Sequence, residues 1–152
     1  MGSDAKTNVI EVFNGISNYL NFDGKFINEV PLSTLSNALQ HNVLVGVSGS
    51  MRGNIMFSCN SKVFKVLAGS MTGVSDIDET DIFNTSAVVD LFTEFCKRLV
   101  NMFDKHENIF LASPISISGN AIQAMISQVP SINLFFKVND ERLAIAYYLE
   151  EN

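Results

Sequence analysis

The first hydrophobic pattern in this chain has a helical period. Apolar residues recur every three or four positions near the start: Val9, Ile10, Phe13, Ile16 and Leu20. This spacing predicts a helix over about residues 6–21, because side chains three and four positions apart share one helix face. Gly24 follows an Asn-rich stretch and is typical of a helix exit. A short strand is predicted next, over residues 25–31.

The following apolar segments predict a β-hairpin over residues 42–60. Its β-favouring runs are residues 43–47 and 55–57, and the segment from Gly49 to Gly53 is typical of a turn. A phosphate-binding loop is the competing interpretation of these glycines. That loop has the spacing GxxxxGK[ST] and leads into a helix, whereas this segment lacks the Lys and leads into a strand. The turn is therefore the favoured interpretation.

Two helices are predicted after the hairpin. Ser61 suits the cap of a short helix that ends near Gly69 or Gly73. A long helix is predicted over about residues 80–106. Four acidic residues stand at its start: Asp76, Asp78, Glu79 and Asp81. Acidic groups there complement the positive end of the helix dipole. The cluster would also suit a divalent cation, but capping explains it without one.

The last part of the chain is rich in strand-like segments, which are residues 115–118, 122–126, 132–138 and 143–149. Turns are predicted at Gly119-Asn120 and at residues 139–141. The order helix, strands, helix, helix, strands predicts an α/β fold of the α+β layered type. In it, a mostly antiparallel sheet packs against helices that include one long central helix. We expect a single domain over residues 1–152.

Composition and charge exclude several classes of function. The chain has 152 residues, of which 47% are hydrophobic and 17% charged, so it is long and apolar enough to bury a core. A net charge of −6, with no basic run longer than Lys97-Arg98, argues against nucleic-acid binding. No apolar run reaches the roughly 18 residues of a membrane span. The first residues lack a secretory pattern, so the expected location is cytoplasmic.

Candidate nucleophiles and metal ligands are few and scattered. Cys59 and Cys96 lie 37 positions apart in apolar surroundings, which is typical of small buried side chains in a reducing compartment. His41 and His106 are remote from each other in the sequence, and no CxxC spacing occurs. A zinc site needs three or four clustered ligands. We therefore expect no metal and no cofactor of the chain's own.

The long helix has a distinct polar face. At about 100° per residue, its apolar side chains form one stripe: Val88, Leu91, Phe92, Phe95, Leu99, Met102 and Phe103. Ser86, Asp90, Thr93 and Lys97 follow one another at spacings of four, three and four, and we call them the polar row. The row lies roughly 170° from the middle of the stripe. Its ordinary explanation is an amphipathic helix that is polar outside, with Asp90 paired to Lys97 in solvent.

Residues 86–93 resemble the helix signature of the CheC/CheX family of chemotaxis phosphatases, which dephosphorylate CheY-type response regulators. That signature is Asp or Ser, three residues, Glu, two residues, Asn, and a Pro a little over twenty positions later. Ser86, Asp90, Thr93 and Pro114 stand at the matching positions, with twenty residues between Thr93 and Pro114. The chain is more similar to CheX, because it has one such helix and CheC proteins carry two.

The resemblance implies a partner and a chemistry. In the family, the Asn amide orients the attacking water and the Glu grips a Lys of the receiver, which itself holds the phosphoaspartate and the metal. By this resemblance, Asp90 and Thr93 are the catalytic residues. Ser86 and Pro114 join them in binding a CheY-like receiver domain, and Lys97 is a further predicted contact because it continues the polar row. However, Thr93 has no amide, and Asp90 is one methylene shorter than Glu.

Two functions therefore stay open on the same fold. One is a CheX-like signalling protein that docks a receiver domain and promotes hydrolysis of its phosphoaspartate. The other is a degenerate binding or scaffold module without phosphatase activity. A third hypothesis is a small-molecule binder with a pocket of Phe and Met side chains. It ranks lower, because Phe residues at helical spacing more often belong to a core.

The resemblance also implies a homodimer, because CheX forms a continuous sheet between subunits. The apolar segment 143–149 favours the same state, since it would be a hazardous exposed edge if it stayed unpaired.

Overall fold

The computed structural model describes residues 2–30, 40–104, 106–118 and 131–152. The helices are α1 (Gly2–Leu20), α2 (Ser61–Thr72) and α3 (Ile82–Val100). The strands are β1 (Gly24–Val30), β2 (His41–Gly49), β3 (Met51–Cys59), β4 (Ile109–Leu111), β5 (Ile115–Ser118), β6 (Ile132–Val138) and β7 (Glu141–Glu151). A turn of 3-10 helix, His106–Asn108, precedes β4. None of the described helices is both long enough and apolar enough to cross a membrane.

The described strands form one sheet in which every pair is antiparallel. Its order is β1-β6-β7-β3-β2-β4, and β5 pairs with β2 as well. β4 occupies the end of β2 near Gly49 and β5 the end near His41, so both lie along the same side of β2. The predicted fold class, a mostly antiparallel sheet packed against helices with one long helix, is confirmed.

The helices pack against one face of the sheet. Alternate strand residues such as Val45, Phe57 and Ile145 point to that face, where they form one hydrophobic cluster with the inward sides of all three helices. The Phe57 ring of β3 stacks on Phe92 of α3, with centroids 4.3 Å apart and an interplanar angle of 7°. It also meets Phe95 edge-on at 5.1 Å. These contacts hold the apolar stripe of α3 against the sheet.

Many of the Phe side chains lie in the hydrophobic core. Phe57, Phe64 and Phe136 are among the largest side chains that are fully buried. Phe136 also contacts Phe13 of α1, with ring centroids 4.2 Å apart. For these rings the core interpretation is confirmed. Because they are packed in the core, they do not line a pocket for a small molecule.

The long helix is shorter than predicted. α3 ends at Val100 rather than near His106, and turns follow it. The amides of Met102 and Phe103 donate to the carbonyls three residues before them, which tightens the chain into turns of the 3-10 type. These turns bury Phe103 and leave Met102 exposed. A continuous helical period through both residues was therefore the wrong interpretation.

The cap of α2 is Asn60 rather than the predicted Ser61. Its side-chain oxygen accepts a hydrogen bond from the amide of Val63 at 3.0 Å. Its side-chain nitrogen donates to Glu141 of β7 at 2.9 Å, so one residue both caps the helix and ties it to the sheet. The helix ends at Gly73, one of its two predicted ends, where φ is 77°.

The hairpin turn falls close to the segment predicted between Gly49 and Gly53. β2 ends at Gly49 and β3 begins at Met51, but their pairing with each other ends at Val47 and Gly53, so residues 48–52 connect the paired parts. An added Cβ at Gly53 would stand 1.7 Å from the carbonyl oxygen of Tyr148. The close approach of β7 therefore requires this glycine.

β7 lies inside the sheet, which removes one argument for a homodimer. It pairs with β3 on one side and with β6 on the other. Residues 143–149 are therefore not an exposed edge, and that reason for predicting a homodimer was wrong. The strand predicted over residues 122–126 and the turn at Gly119-Asn120 lie outside the described residues.

Replacing Phe57 with Ala tests the importance of the stack between β3 and α3. We expect F57A to lower the free energy of unfolding by about 3–5 kcal/mol, because it opens a cavity at a fully buried ring. Urea denaturation followed by circular dichroism measures the change. Phe110→Ala is the control, since Phe110 is 59% exposed on β4. It should change stability by less than about 0.5 kcal/mol. Equal losses in both variants would contradict the central role of the stack.

Candidate functional site

α3 begins in a turn that the preceding acidic segment stabilises. The carboxylate of Asp81 is the N-cap and accepts a hydrogen bond from the amide of Phe83 at 3.0 Å. The carboxylate of Asp78 accepts from the amide and the hydroxyl of Thr80, at 2.9 and 2.7 Å. The side chain of Asn84 donates to the Asp78 carbonyl at 2.9 Å. The helix that carries the polar row therefore starts at a position set by several hydrogen bonds.

The role predicted for the acidic cluster is confirmed for Asp81 but not for all four acids. The first turn of α3 itself contains no acidic residue. Glu79 instead turns toward β2, where its carboxylate lies 2.8 Å from Nε2 of His41. Hydrogen bonds from Ser61 and then from His41 hold the pKa of Glu79 below its usual value. Glu79 therefore links the connection before α3 to the starts of α2 and β2.

The polar row faces outward on α3. Ser86, Asp90 and Lys97 are exposed, and Thr93 is half-buried. The buried residues of the helix lie on its other side, against the sheet and the two neighbouring helices. At a rise of 1.5 Å per residue, the row extends about 16 Å along the helix. Its four residues therefore share one outward surface.

The charged groups of Asp90 and Lys97 make no contact with an opposite charge in the described structure. Among the described residues, neither side chain forms an ion pair or a hydrogen bond. The ordinary explanation that pairs them in solvent is therefore not what the structure shows. The neighbouring Glu94 and Arg98 do pair, at 3.2 Å, one turn apart on the same helix. The row thus presents a carboxylate and an ammonium group about two helical turns from each other.

The hydroxyl of Thr93 is turned back onto its own helix. Its Oγ1 donates a hydrogen bond to the Val89 carbonyl at 2.9 Å. This bond uses the only proton of the hydroxyl, so lone pairs alone remain for an outside group. An Asn side chain at the same place would project further and would offer both a donor and an acceptor. In this arrangement Thr93 therefore offers an outside group an acceptor but no donor.

Pro114 is the predicted partner-binding residue that lies off the helix. It is half-buried in the connection between β4 and β5, residues 112–114. The amide of Ala112 in this connection donates to the Gly46 carbonyl of β2 at 2.9 Å. The structure brings the four residues of the polar row onto one helix face, whereas Pro114 belongs to a separate element at the side of the sheet.

Ile82 and Phe83 are exposed at the start of α3, although the hydrophobic pattern did not single them out. Their exposed fractions are 80% and 65%. Ile82 precedes Ser86 by four positions, which is the same spacing that joins Ser86 to Asp90. That spacing was the signal in the sequence that could have added Ile82 to the row.

The cysteines have no catalytic arrangement. Both thiols are free and buried, as predicted, and burial raises the pKa of each to about 12. Cys59 pairs with His41 in the strand register, and His41 contacts Glu79, an arrangement similar to a nucleophile with its base. A thiol that stays protonated at neutral pH is a poor nucleophile, however. Within the described ranges, no group of three His, Cys, Asp or Glu residues is placed to hold a metal ion.

Neither a protein-family model nor a curated protein sequence matches this chain. Solved structures do share its fold. A chain of the CheX–CheY–BeF₃–Mg²⁺ complex from Borrelia burgdorferi is 15% identical, with 95% of this chain and 97% of that chain covered and a TM-score of 0.74. A CheC-like protein from Shewanella sp. PV-4 is 19% identical, with 99% of both chains covered and a TM-score of 0.74.

The chemotaxis protein CheX from Desulfovibrio desulfuricans is similar to the same extent. It is 16% identical, 97% of this chain and 99% of that chain are covered, and the TM-score is 0.71. Because these likenesses extend over nearly the whole of each chain, they show that this chain has the CheX/CheC-like fold. A shared fold does not establish a shared function, so the role of the polar row has to be argued from its own residues.

Replacing the N-cap of α3 tests how firmly the start of this helix is held. We expect Asp81→Ala to lower the free energy of unfolding by about 1 kcal/mol, because the Phe83 amide loses its acceptor. Thermal and urea denaturation measure the loss. Asp76→Ala removes the same charge from an exposed residue that caps no described helix, and it should stay within about 0.5 kcal/mol of the parent. A loss of the same size in D76A would assign the effect to net charge instead of the cap.

Proposed function

We propose that this chain, which has the fold of the CheX and CheC-like chemotaxis proteins, docks the receiver domain of a CheY-like response regulator. The docking surface is the polar row of α3. The observation that carries the proposal is the outward position of that row, whose Asp90 and Lys97 have no partner among the described residues. A structure of the same fold is solved as a complex of CheX with CheY, which favours a receiver as the partner.

Asp90 is the residue that we assign to the receiver's active-site Lys, the role of Glu in the resembling family. Because its carboxylate is exposed and unpaired in the described structure, docking breaks no internal ion pair. A charge that becomes buried at an interface is strongly unfavourable unless the partner supplies the opposite charge. The proposal therefore requires a cation opposite Asp90 and an acidic group opposite Lys97. The phosphoaspartate and Mg²⁺ belong to the receiver.

Thr93 favours docking without hydrolysis. In the family, the residue at this position orients the attacking water through a planar amide, and Thr93 has only a hydroxyl that already donates to Val89. A misplacement of about 1 Å lowers the rate on the order of 100-fold. Both Thr93 and Asp90 are shorter than the family residues. The binding or scaffold function is therefore the form of the proposal that the geometry supports best.

Docking with hydrolysis is the second form, and it assigns Asp90 and Thr93 as catalytic residues. Thr93 would have to release Val89 and place the water through one hydroxyl. Chemically this remains a matter of positioning, because the receiver supplies the phosphoaspartate and the metal. The activity expected from this form is weak.

The other residues and properties implied by the resemblance stay predictions. Ser86 and Pro114 are predicted contacts of the receiver, one on the row and one beside the sheet. A homodimer and a cytoplasmic location are likewise predictions. The homodimer now rests on the resemblance alone, because β7 is an inner strand.

Reversing the charge at Asp90 tests the docking surface. We expect Asp90→Arg to weaken binding of a BeF₃- and Mg²⁺-loaded receiver by at least about tenfold, because it places two cations against each other. Isothermal titration calorimetry against the receivers of the same genome measures the affinity. Asp140→Arg is the control, since its side chain is 99% exposed in the turn between β6 and β7 and its ion pair with Lys137, at 3.7 Å, lies at the surface. Equal binding by D90R, D140R and the parent would remove the polar row as the docking surface.

The lifetime of the phosphorylated receiver separates the two forms of the proposal. With saturating parent protein, we expect the lifetime to change by less than about twofold, because Thr93 cannot place the water. The double variant Asp90→Glu/Thr93→Asn restores the family residues and should shorten it by at least about tenfold. Release of phosphate from the labelled receiver measures both.

Acceleration by the parent protein would support docking with hydrolysis and contradict the scaffold form. If the double variant still binds but leaves the lifetime unchanged, the geometry carried over from the family is wrong. Glu94→Gln, on the same helix but off the row, controls for general effects of changes in α3.

A further inference from the structure

The start of α3 exposes apolar surface that the described residues leave uncovered. Ile82 is 80% exposed and Phe83 is 65% exposed. Among the large apolar side chains exposed in the described part of the chain, Ile82 has the highest exposed fraction. Scattered exposed apolar residues are ordinary on protein surfaces. These two differ because they are adjacent and lie at one end of the polar row.

Helix geometry places Ile82 in line with the row. Ile82, Ser86 and Asp90 follow at intervals of four, so each lies about 40° around the helix from the one before and all three share one broad face. Phe83 lies about 100° around the helix from Ile82, beside the row. From Ile82 to Lys97 the surface extends about 22 Å, compared with about 16 Å for the polar row alone. A standard interface of about 800 Å² per partner is roughly 30 Å across, so the longer surface fits it better.

Neither side chain is needed for the capping that begins the helix. The Asp81 cap holds the backbone amide of Phe83, and the turn before it is closed through Asp78 and Asn84. These bonds use backbone groups and polar side chains, so they do not involve the apolar atoms of Ile82 and Phe83. They also hold both residues on a rigid element before any partner arrives. An anchor that is already ordered loses less entropy on binding.

Charges alone would hold a partner weakly. At an interface, the cost of removing a charge from water offsets much of the attraction that the partner's opposite charge supplies. The residues that dominate binding in most interfaces are large and become fully desolvated, while polar contacts around them set orientation. The polar row supplies two charges and small polar groups, and no large apolar side chain. An apolar anchor next to it is therefore the missing part of a docking surface.

We propose that Ile82 and Phe83 form this anchor and contact an apolar patch beside the phosphorylation site of the receiver domain. The inference rests on the proposed function, since it names the receiver as occupant through continuity with the polar row. Ile82 and Phe83 determine how tightly the receiver is held. Asp90 and Lys97 determine its orientation.

Serine substitutions distinguish the contribution of the anchor to binding from that of the polar row. Binding of a BeF₃- and Mg²⁺-loaded receiver is measured by calorimetry for the parent, for Ile82→Ser, for Phe83→Ser and for the double variant. We expect each single change to weaken binding at least about tenfold and the double change more. Phe110→Ser is the matched control, because it removes a ring of similar exposure, 59%, from β4. It should leave the affinity within about twofold of the parent.

The outcomes distinguish this inference from the proposed function. If the parent binds and the double variant binds equally well, the anchor is excluded while docking through the polar row stands. If the parent binds no receiver, both are overturned. Loss of binding in the Ile82 and Phe83 variants but not in F110S, with unchanged unfolding temperatures, supports the anchor.

A measurement on the unaltered protein makes the test independent of any folding defect. Hydroxyl-radical footprinting reports the solvent exposure of individual side chains with and without the receiver. We expect oxidation of Phe83 to fall at least about threefold in the complex, while that of Phe110 is unchanged, because only the anchor is desolvated. Undiminished oxidation of Phe83 in a saturated complex would overturn the inference.

Discussion

The stacking of α3 on Phe57 is the contact on which the outward surface of this protein depends. Phe92 and Phe95 both meet the Phe57 ring of β3, so one face of the helix is held against the sheet. A helix fixed on one face has no rotational freedom left for the other. The direction of the polar row is therefore a consequence of core packing. The residues of the row take no part in setting it.

The outward surface combines two kinds of chemistry. Asp90 and Lys97 carry opposite charges that no described residue neutralises. The hydroxyl of Thr93 donates its hydrogen bond to a carbonyl of the same helix. A receiver domain that brings its own metal and phosphoaspartate needs little from a docking protein beyond orientation. The same fold can therefore serve as a phosphatase or as a binding module, and the difference lies in one or two side chains.

Hydrogen bonds at the element ends connect the sheet to the helix that carries the row. Asn60 caps α2 and reaches Glu141 of β7, and Glu79 joins the connection before α3 to His41 of β2. These side chains are polar and partly buried, so each bond satisfies groups that the fold removes in part from water. The start of α3, including Ile82 and Phe83, is thereby held at a defined place relative to the sheet.

Periodicity by itself predicted the three helices and most of the described strands, although not β4, and it predicted which face of α3 points outward, because side-chain direction follows from residue spacing. Several points depended on tertiary contacts. The turns after Val100 bury Phe103 and expose Met102, which the helical period does not predict, and Gly53 is required by the approach of β7. The inner place of β7 and the bond of Glu79 to His41 join residues far apart in the chain, so no local pattern contains them. The exposure of Ile82 and Phe83 was likewise decided by packing, because an apolar residue at a helix start is buried or left in water according to what lies opposite it.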